Sequence, residues 1–206
     1  MYKTIKSPGK YEQTITKSRF IARAVHVESE AEAMNIIEDE RKRYPDSRHC
    51  CWAFVLGDDS SVLRYSDDGE PQGTAGLPML DVIRKKGLTY TLITVVRYFG
   101  GVLLGTGGLT RAYSSSASGA VENGSVAEMA LSQRMSVIMD YTVYAKLKNF
   151  IEKQNVFIDG TEYSDKVTFT ITVKKELAER LSSAITDMLS GKCEIKTDKT
   201  FYFPWE

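Results

Sequence analysis

The segment Arg97-Tyr98-Phe99-Gly100-Gly101-Val102-Leu103-Leu104-Gly105-Thr106-Gly107-Gly108-Leu109-Thr110-Arg111-Ala112-Tyr113 joins an apolar β-type run to a helix-compatible run. Five glycines lie between the two runs, and an arginine stands near each end. Glycine loses more freedom on ordering than any other residue, so such density points to unusual dihedrals or close backbone approach. Free amides at a strand-to-helix junction hold anions, and a guanidinium adds bidentate donors. No acidic residue occurs from Val82 to Val121, while Arg84, Lys85, Lys86, Arg97 and Arg111 all fall within that stretch. The chemistry expected is anion binding, with Gly100, Gly101, Gly105, Thr106, Gly107 and Gly108 as backbone donors and Arg97 and Arg111 as the clamp. The alternative for each arginine is an ion pair with Asp67, Asp68 or Glu70 that fixes the loop.

Other nucleotide chemistries fit less well. Thr106-Gly107-Gly108-Leu109 has no lysine followed by Ser or Thr, which excludes the P-loop pattern, and the glycine offsets miss the dinucleotide fingerprint. Ser66-Asp67-Asp68-Gly69-Glu70-Pro71 gathers carboxylates on one turn, but without calcium-loop spacing, so no metal is expected. His49 beside Cys50 and Cys51 suggests a nucleophile or zinc, yet only His26 and Cys193 remain to complete a ligand set. No cofactor is expected. Cleft-lining roles fall to His49, Asp68, Glu70, Thr74, Tyr98 and Tyr113, with Thr74 as a cap for the helix that follows. Tyr98, Phe99 and Tyr113 are either stacking platforms or core.

The 206 residues carry 27 basic and 27 acidic side chains, a balance that holds on each side of residue 130. A general electrostatic nucleic-acid binder would show a basic excess, so any such contact must be local or read shape. The absence of a bilayer-length apolar run, the lack of a leader pattern and the odd cysteine count lead to an expectation of a cytoplasmic protein with no membrane association.

The elements that must position these residues are mixed. Strands are expected at 11–17 and 19–27, a helix over 30–44, a hairpin over 51–65 and a short helix over 78–86. A long strand over 90–99 and a helix of small residues over 109–122 follow. Beyond a boundary near 124–134, strands and amphipathic helices alternate as β-α-β-β-α-β, a ferredoxin-like order in which Ile195, Phe201 and Phe203 lie in a last strand ended by Pro204. The fold class is therefore α+β with two domains, 1–130 and 131–206.

Taken with Arg48-His49-Cys50-Cys51-Trp52-Ala53-Phe54, Ser66-Asp67-Asp68-Gly69-Glu70-Pro71 and Gly73-Thr74-Ala75-Gly76-Leu77-Pro78-Met79-Leu80, the glycine-arginine segment resembles the signature of the IMPACT family, in its bacterial YigZ-like form. The resemblance implies a first domain folded like domain IV of elongation factor G and a ribosomal-protein domain, and a tail like that factor's C-terminal domains. It also implies a translation-linked regulator, whose partner is RNA, a ribosomal component or a regulatory protein. Eukaryotic relatives act on the kinase pathway that curbs translation initiation, but carry a further domain that this sequence lacks. The expected role is non-enzymatic, through a cleft where 66–78 meets 97–113. An enzyme acting on a small phosphorylated ligand in that cleft, and a protein-interaction module with a purely structural signature, stay open as alternatives. Oligomeric state is not specified by any of these residues.

Overall fold

The structure, a computed structural model, describes residues 1–205. It divides into two compact units, one of residues 1–129 with 204–205, the other Ala130–Phe203. Both are mixed α and β.

The first unit is built on an antiparallel sheet ordered β2-β3-β6-β4-β5, from Gly9–Ile15, Ser18–His26, Thr91–Tyr98, His49–Leu56 and Val62–Ser66. Strand side chains alternate between faces, and here both faces are covered. Phe20, Ala22 and Ala24 of β3, Cys51, Ala53 and Val55 of β4, and Ile93 and Val95 of β6 face α2 (Gly76–Lys85) and α3 (Gly105–Asn123). Val25, Phe54, Leu56 and Leu92 face α1 (Glu30–Arg43). The central strand β6 is thus buried from Thr91 through Arg97, and Arg97 ends up inside the protein.

Small residues set how closely α3 approaches the sheet. Ala112, Ser116, Ala117 and Ala120 are buried on its inner face, and a Cβ at Gly119 would run into the Tyr11 ring. The β2–β3 turn is a two-residue connection with both Thr16 and Lys17 left-handed, at φ 46° and 67°. That twist suits a hairpin but normally calls for Asn or Gly.

In the second unit, residues 132–139 of β7 (Ser125–Met139) pair with β9 (Val167–Lys174), and β10 (Cys193–Thr197) and β8 (Phe157–Tyr163) lie outside them. All pairs are antiparallel, in the order β10-β7-β9-β8. Helices α4 (Tyr141–Ile151) and α5 (Lys175–Met188) bury Leu147, Ile151, Ala178, Leu181 and Ile185 on one face. This is a ferredoxin-like β-α-β-β-α-β unit.

Four local expectations need correction. The helix expected from Leu109 begins at Gly105, so Gly105, Gly107 and Gly108 are first-turn residues rather than loop. The strand expected from Met135 begins at Ser125, and its first residues pair with an unforeseen strand β1, Tyr2–Ser7. The final strand is two, β10 and β11 (Phe201–Trp205). Pro204 sits inside β11 instead of ending it, since a proline is tolerated wherever its missing donor is not needed by the ladder. Among the described residues, no helix is long and apolar enough to cross a membrane.

A fragment of residues 1–130 retains the pairing of β1 with 125–129 and both cores of the first unit. We expect it to melt cooperatively by circular dichroism; aggregation or a broad transition would mean that this half does not fold alone.

Candidate anion-binding site

The turn after β5 is organised by its own carboxylates. Asp67 Oδ1 accepts from the Ala75 and Gly76 amides at 3.0 and 2.8 Å, and Oδ2 accepts from Gly73 N at 2.8 Å. Asp67 therefore anchors the start of α2. Thr74 does not cap it: its hydroxyl donates to the Pro71 carbonyl at 2.6 Å, and the residue is buried. Asp68, left-handed at φ 42°, accepts from Cys50 N at 2.7 Å and from Arg41 Nη2 at 2.6 Å. Its carbonyl accepts from His49 Nδ1 at 2.8 Å, which commits that ring nitrogen as a donor. Both aspartates are thus engaged by the protein's own donors.

Glu70 behaves differently. It is buried, and Oε1 accepts from Arg97 Nη1 at 2.7 Å and from the Tyr113 hydroxyl at 2.8 Å. Arg97 Nη2 donates to Ser18 Oγ at 3.2 Å, and Ser18 Oγ also receives the Gly100 amide at 3.2 Å. The guanidinium lies 5.5 Å from both the Phe20 and Phe99 ring centroids. Burial, with Cys51 and Glu70 alongside, pushes the Tyr113 hydroxyl far above its usual range, so it remains a donor. One network therefore ties β3, β6, α3 and the turn together.

This corrects the expected clamp. Arg97 is committed to Glu70, the structural alternative named above, and Tyr113 is core rather than a stacking platform. Gly100 is equally structural, because a Cβ there would overlap the Lys17 carbonyl. Tyr98 is half-buried beneath the Arg19 guanidinium, 5.9 Å from its ring, and is not part of the cavity lining described below.

Above the network lies a cavity of about 330 Å³. His49, Glu70 and Arg97 border it on the polar side, and Pro71, Phe99, Leu103 and Leu109 on the apolar side. Gly105 and Thr106, the first residues of α3, also line it. The segments 66–78 and 97–113 do meet here. Asp68 instead borders a neighbouring hollow of about 200 Å³, which shares Arg48 and His49 with the first.

The start of α3 has no side-chain cap and no acidic residue in its first turn. Its first amides thus lack intrahelical acceptors and carry the positive end of the helix dipole. Gly105, at φ +67°, and Gly101, at φ +82°, allow the chain to turn into the helix. Gly107 meets little, its Cβ position lying 3.8 Å from Arg111 Nη1, and Gly108 packs on Leu104. Arg111 is exposed and folds back over that first turn. Arg48, on the other side, is exposed with its guanidinium 6.0 Å from the Phe99 centroid. Among the described residues, neither arginine has an ion-pair partner. Sequence reasoning missed Arg48 as a site residue, although it stands directly before His49 in a segment already singled out.

Cys50 and Cys51 are buried thiols. Burial raises the Cys50 thiol to about 11, with Arg41 only partly offsetting it, and drives Cys51 higher still. Cys51 Sγ sits 3.0 Å from the Asp67 carbonyl oxygen and 3.4 Å from the Tyr113 hydroxyl, as a small core group.

Comparison with known proteins places these features in a family. Residues 16–121 match the Impact N-terminal domain, and residues 137–192 match a domain of unknown function, DUF1949. An IMPACT family member, YvyE, from Bacillus subtilis (strain 168) is 37% identical over 201 residues, covering 98% of this chain and 93% of that protein. The IMPACT family member YigZ of Escherichia coli (strain K12) is 34% identical over 191 residues, covering 89% and 91%. A crystal structure of a hypothetical protein superposes with a TM-score of 0.62 at 30% identity, covering 94% of this chain and 95% of that one.

Removing one member of a buried ion pair strands the other charge. Glu70→Ala is expected to lower stability by about 3–5 kcal/mol in urea denaturation, and Tyr113→Phe by about 1.5–3 kcal/mol. A loss below about 1 kcal/mol for Glu70→Ala would show that the pair behaves like one at the surface.

Proposed function

The chain belongs to the IMPACT family, and from that premise we propose that it is a translation-linked regulatory protein acting in the cytoplasm, whose first unit binds a phosphate-bearing partner, RNA foremost, at the start of α3. The link to translation comes with the family resemblance. The binding chemistry comes from one observation: the uncapped start of α3 borders the cavity together with Arg48, while Arg111 reaches back to that same first turn, and neither arginine is paired among the described residues.

Three features support this reading. The Glu70 charge is already met by Arg97, so it does not cancel the field of the exposed arginines. The surplus is local, which reconciles a chain of zero net charge with an anionic partner. Phosphates commonly sit at helix N-termini, where oriented amides and the dipole act together. The clamp is thus Arg48 with Arg111, in place of Arg97 with Arg111.

Binding to purified ribosomes and to structured RNA across a salt series tests the proposal, with the Arg48→Ala/Arg111→Ala double variant alongside. Saturable binding should weaken steeply with salt. The double variant, with its melting temperature unchanged, should bind about tenfold more weakly or worse. No binding at low salt, or binding indifferent to both changes, would overturn the proposal.

A further inference from the structure

Resting on the RNA reading, we infer that the cavity takes a single unpaired nucleotide of the bound strand, with its base against the Phe99–Leu103 wall and its phosphate at the first turn of α3. A site for backbone alone needs only a charged surface. Here the charged rim encloses a concavity with an apolar side, and that side is unusual in its exposure. Phe99 is 37% exposed and Leu103 is 86% exposed, although both are large apolar groups next to a buried network. Pro71 and Leu109 continue the same wall. Bases of a duplex are stacked away from such a wall, whereas an unpaired base has a free face to lay on it.

The polar side matches the rest of a nucleotide. Arg48 lies over the Phe99 ring at 6.0 Å, and Gly105 and Thr106 bring the helix start to the same space. Glu70 borders the cavity with only Oε1 engaged by protein donors, so Oε2 is an acceptor for a base N–H or a ribose hydroxyl. His49 places its Nε2 nearby, 4.0 Å from Glu70 Oε1, with Nδ1 held by the Asp68 carbonyl. Arg97, nine-tenths buried at the same border, carries an Nε with no hydrogen-bond partner in the protein. A buried donor left unpaired commonly marks a missing ligand or water. An aromatic and aliphatic wall, a carboxylate acceptor, an imidazole and the start of α3, bordering a cavity of about 330 Å³, suit a nucleoside phosphate better than a bare oxyanion.

Isothermal titration of the full chain with adenosine 5′-monophosphate, inorganic phosphate, a short oligoadenylate and an RNA duplex tests this. One stacked base adds about 1–3 kcal/mol, so the monophosphate should bind about tenfold more tightly than phosphate. The oligoadenylate should outcompete the duplex. Phe99→Ala should remove most of the monophosphate's advantage and leave the phosphate response; Leu103→Ala, at a freely exposed position, repeats the test where Phe99→Ala perturbs folding. Equal binding of monophosphate and phosphate, equal binding of duplex and oligoadenylate, or indifference to both variants would overturn the inference. Binding of the monophosphate without the oligoadenylate would overturn it too, in favour of a free nucleotide. Salt-sensitive ribosome binding with no monophosphate preference defeats this inference alone, whereas binding of both the monophosphate and the oligoadenylate with no ribosome binding defeats the translation reading alone.

Discussion

The 2.7 Å contact between Glu70 Oε1 and Arg97 Nη1 is the interaction on which the arrangement of the first unit's site depends. Taking two charges out of water is costly unless their remaining donors and acceptors are also met. Tyr113 supplies a second donor to Glu70, and Ser18 an acceptor to Arg97. Each of these partners lies on a different element, so satisfying the charges fixes the turn, the end of β6, the start of β3 and the middle of α3 together. The cavity is the space left above that network.

The same constraint divides the glycines by what each does. Gly100 is held against the Lys17 carbonyl beneath the Ser18 hydroxyl, where a side chain has no room. Gly105 turns the chain into α3 with a positive φ, and Gly107 stays open at the first helical turn. The packing network accounts for Gly100, whereas at Gly107 it imposes nothing that an alanine would violate. The turn carboxylates divide similarly: Asp67 organises α2, Asp68 orders Arg41 and His49, and Glu70 borders the cavity. Three acids within four residues thus serve three different ends.

Much of this was legible in the sequence, because periodic patterns are local. The alternation of Phe169, Ile171 and Val173 with threonines marked β9, and the small residues from Ala112 to Ala120 marked a closely packed helix. What was not legible was non-local or terminal. β1 is identified by pairing with residues more than a hundred positions away, not by any pattern of its own. The first turn of α3 read as loop because glycine disfavours helix interiors, but at a helix start the amides have no intrahelical partner in any case. Arg97 looked like a ligand clamp because its burial depends on three neighbouring strands and helices, while Arg48, the exposed one, drew no notice beside a histidine and two cysteines. In a strand buried on both faces, a charged residue signals a partner inside the fold before it signals a ligand outside it.

The central claim is that the start of α3 is where the anionic partner sits. The most direct measurement is an amide-resolved ¹⁵N NMR titration of the protein with a short single-stranded RNA. If the claim holds, the N–H resonances of Gly105, Thr106, Gly107 and Gly108 move first and saturate together, while those of β8 and β9 stay in place. Saturating shifts confined to the second unit, with the α3 amides unmoved, would contradict it.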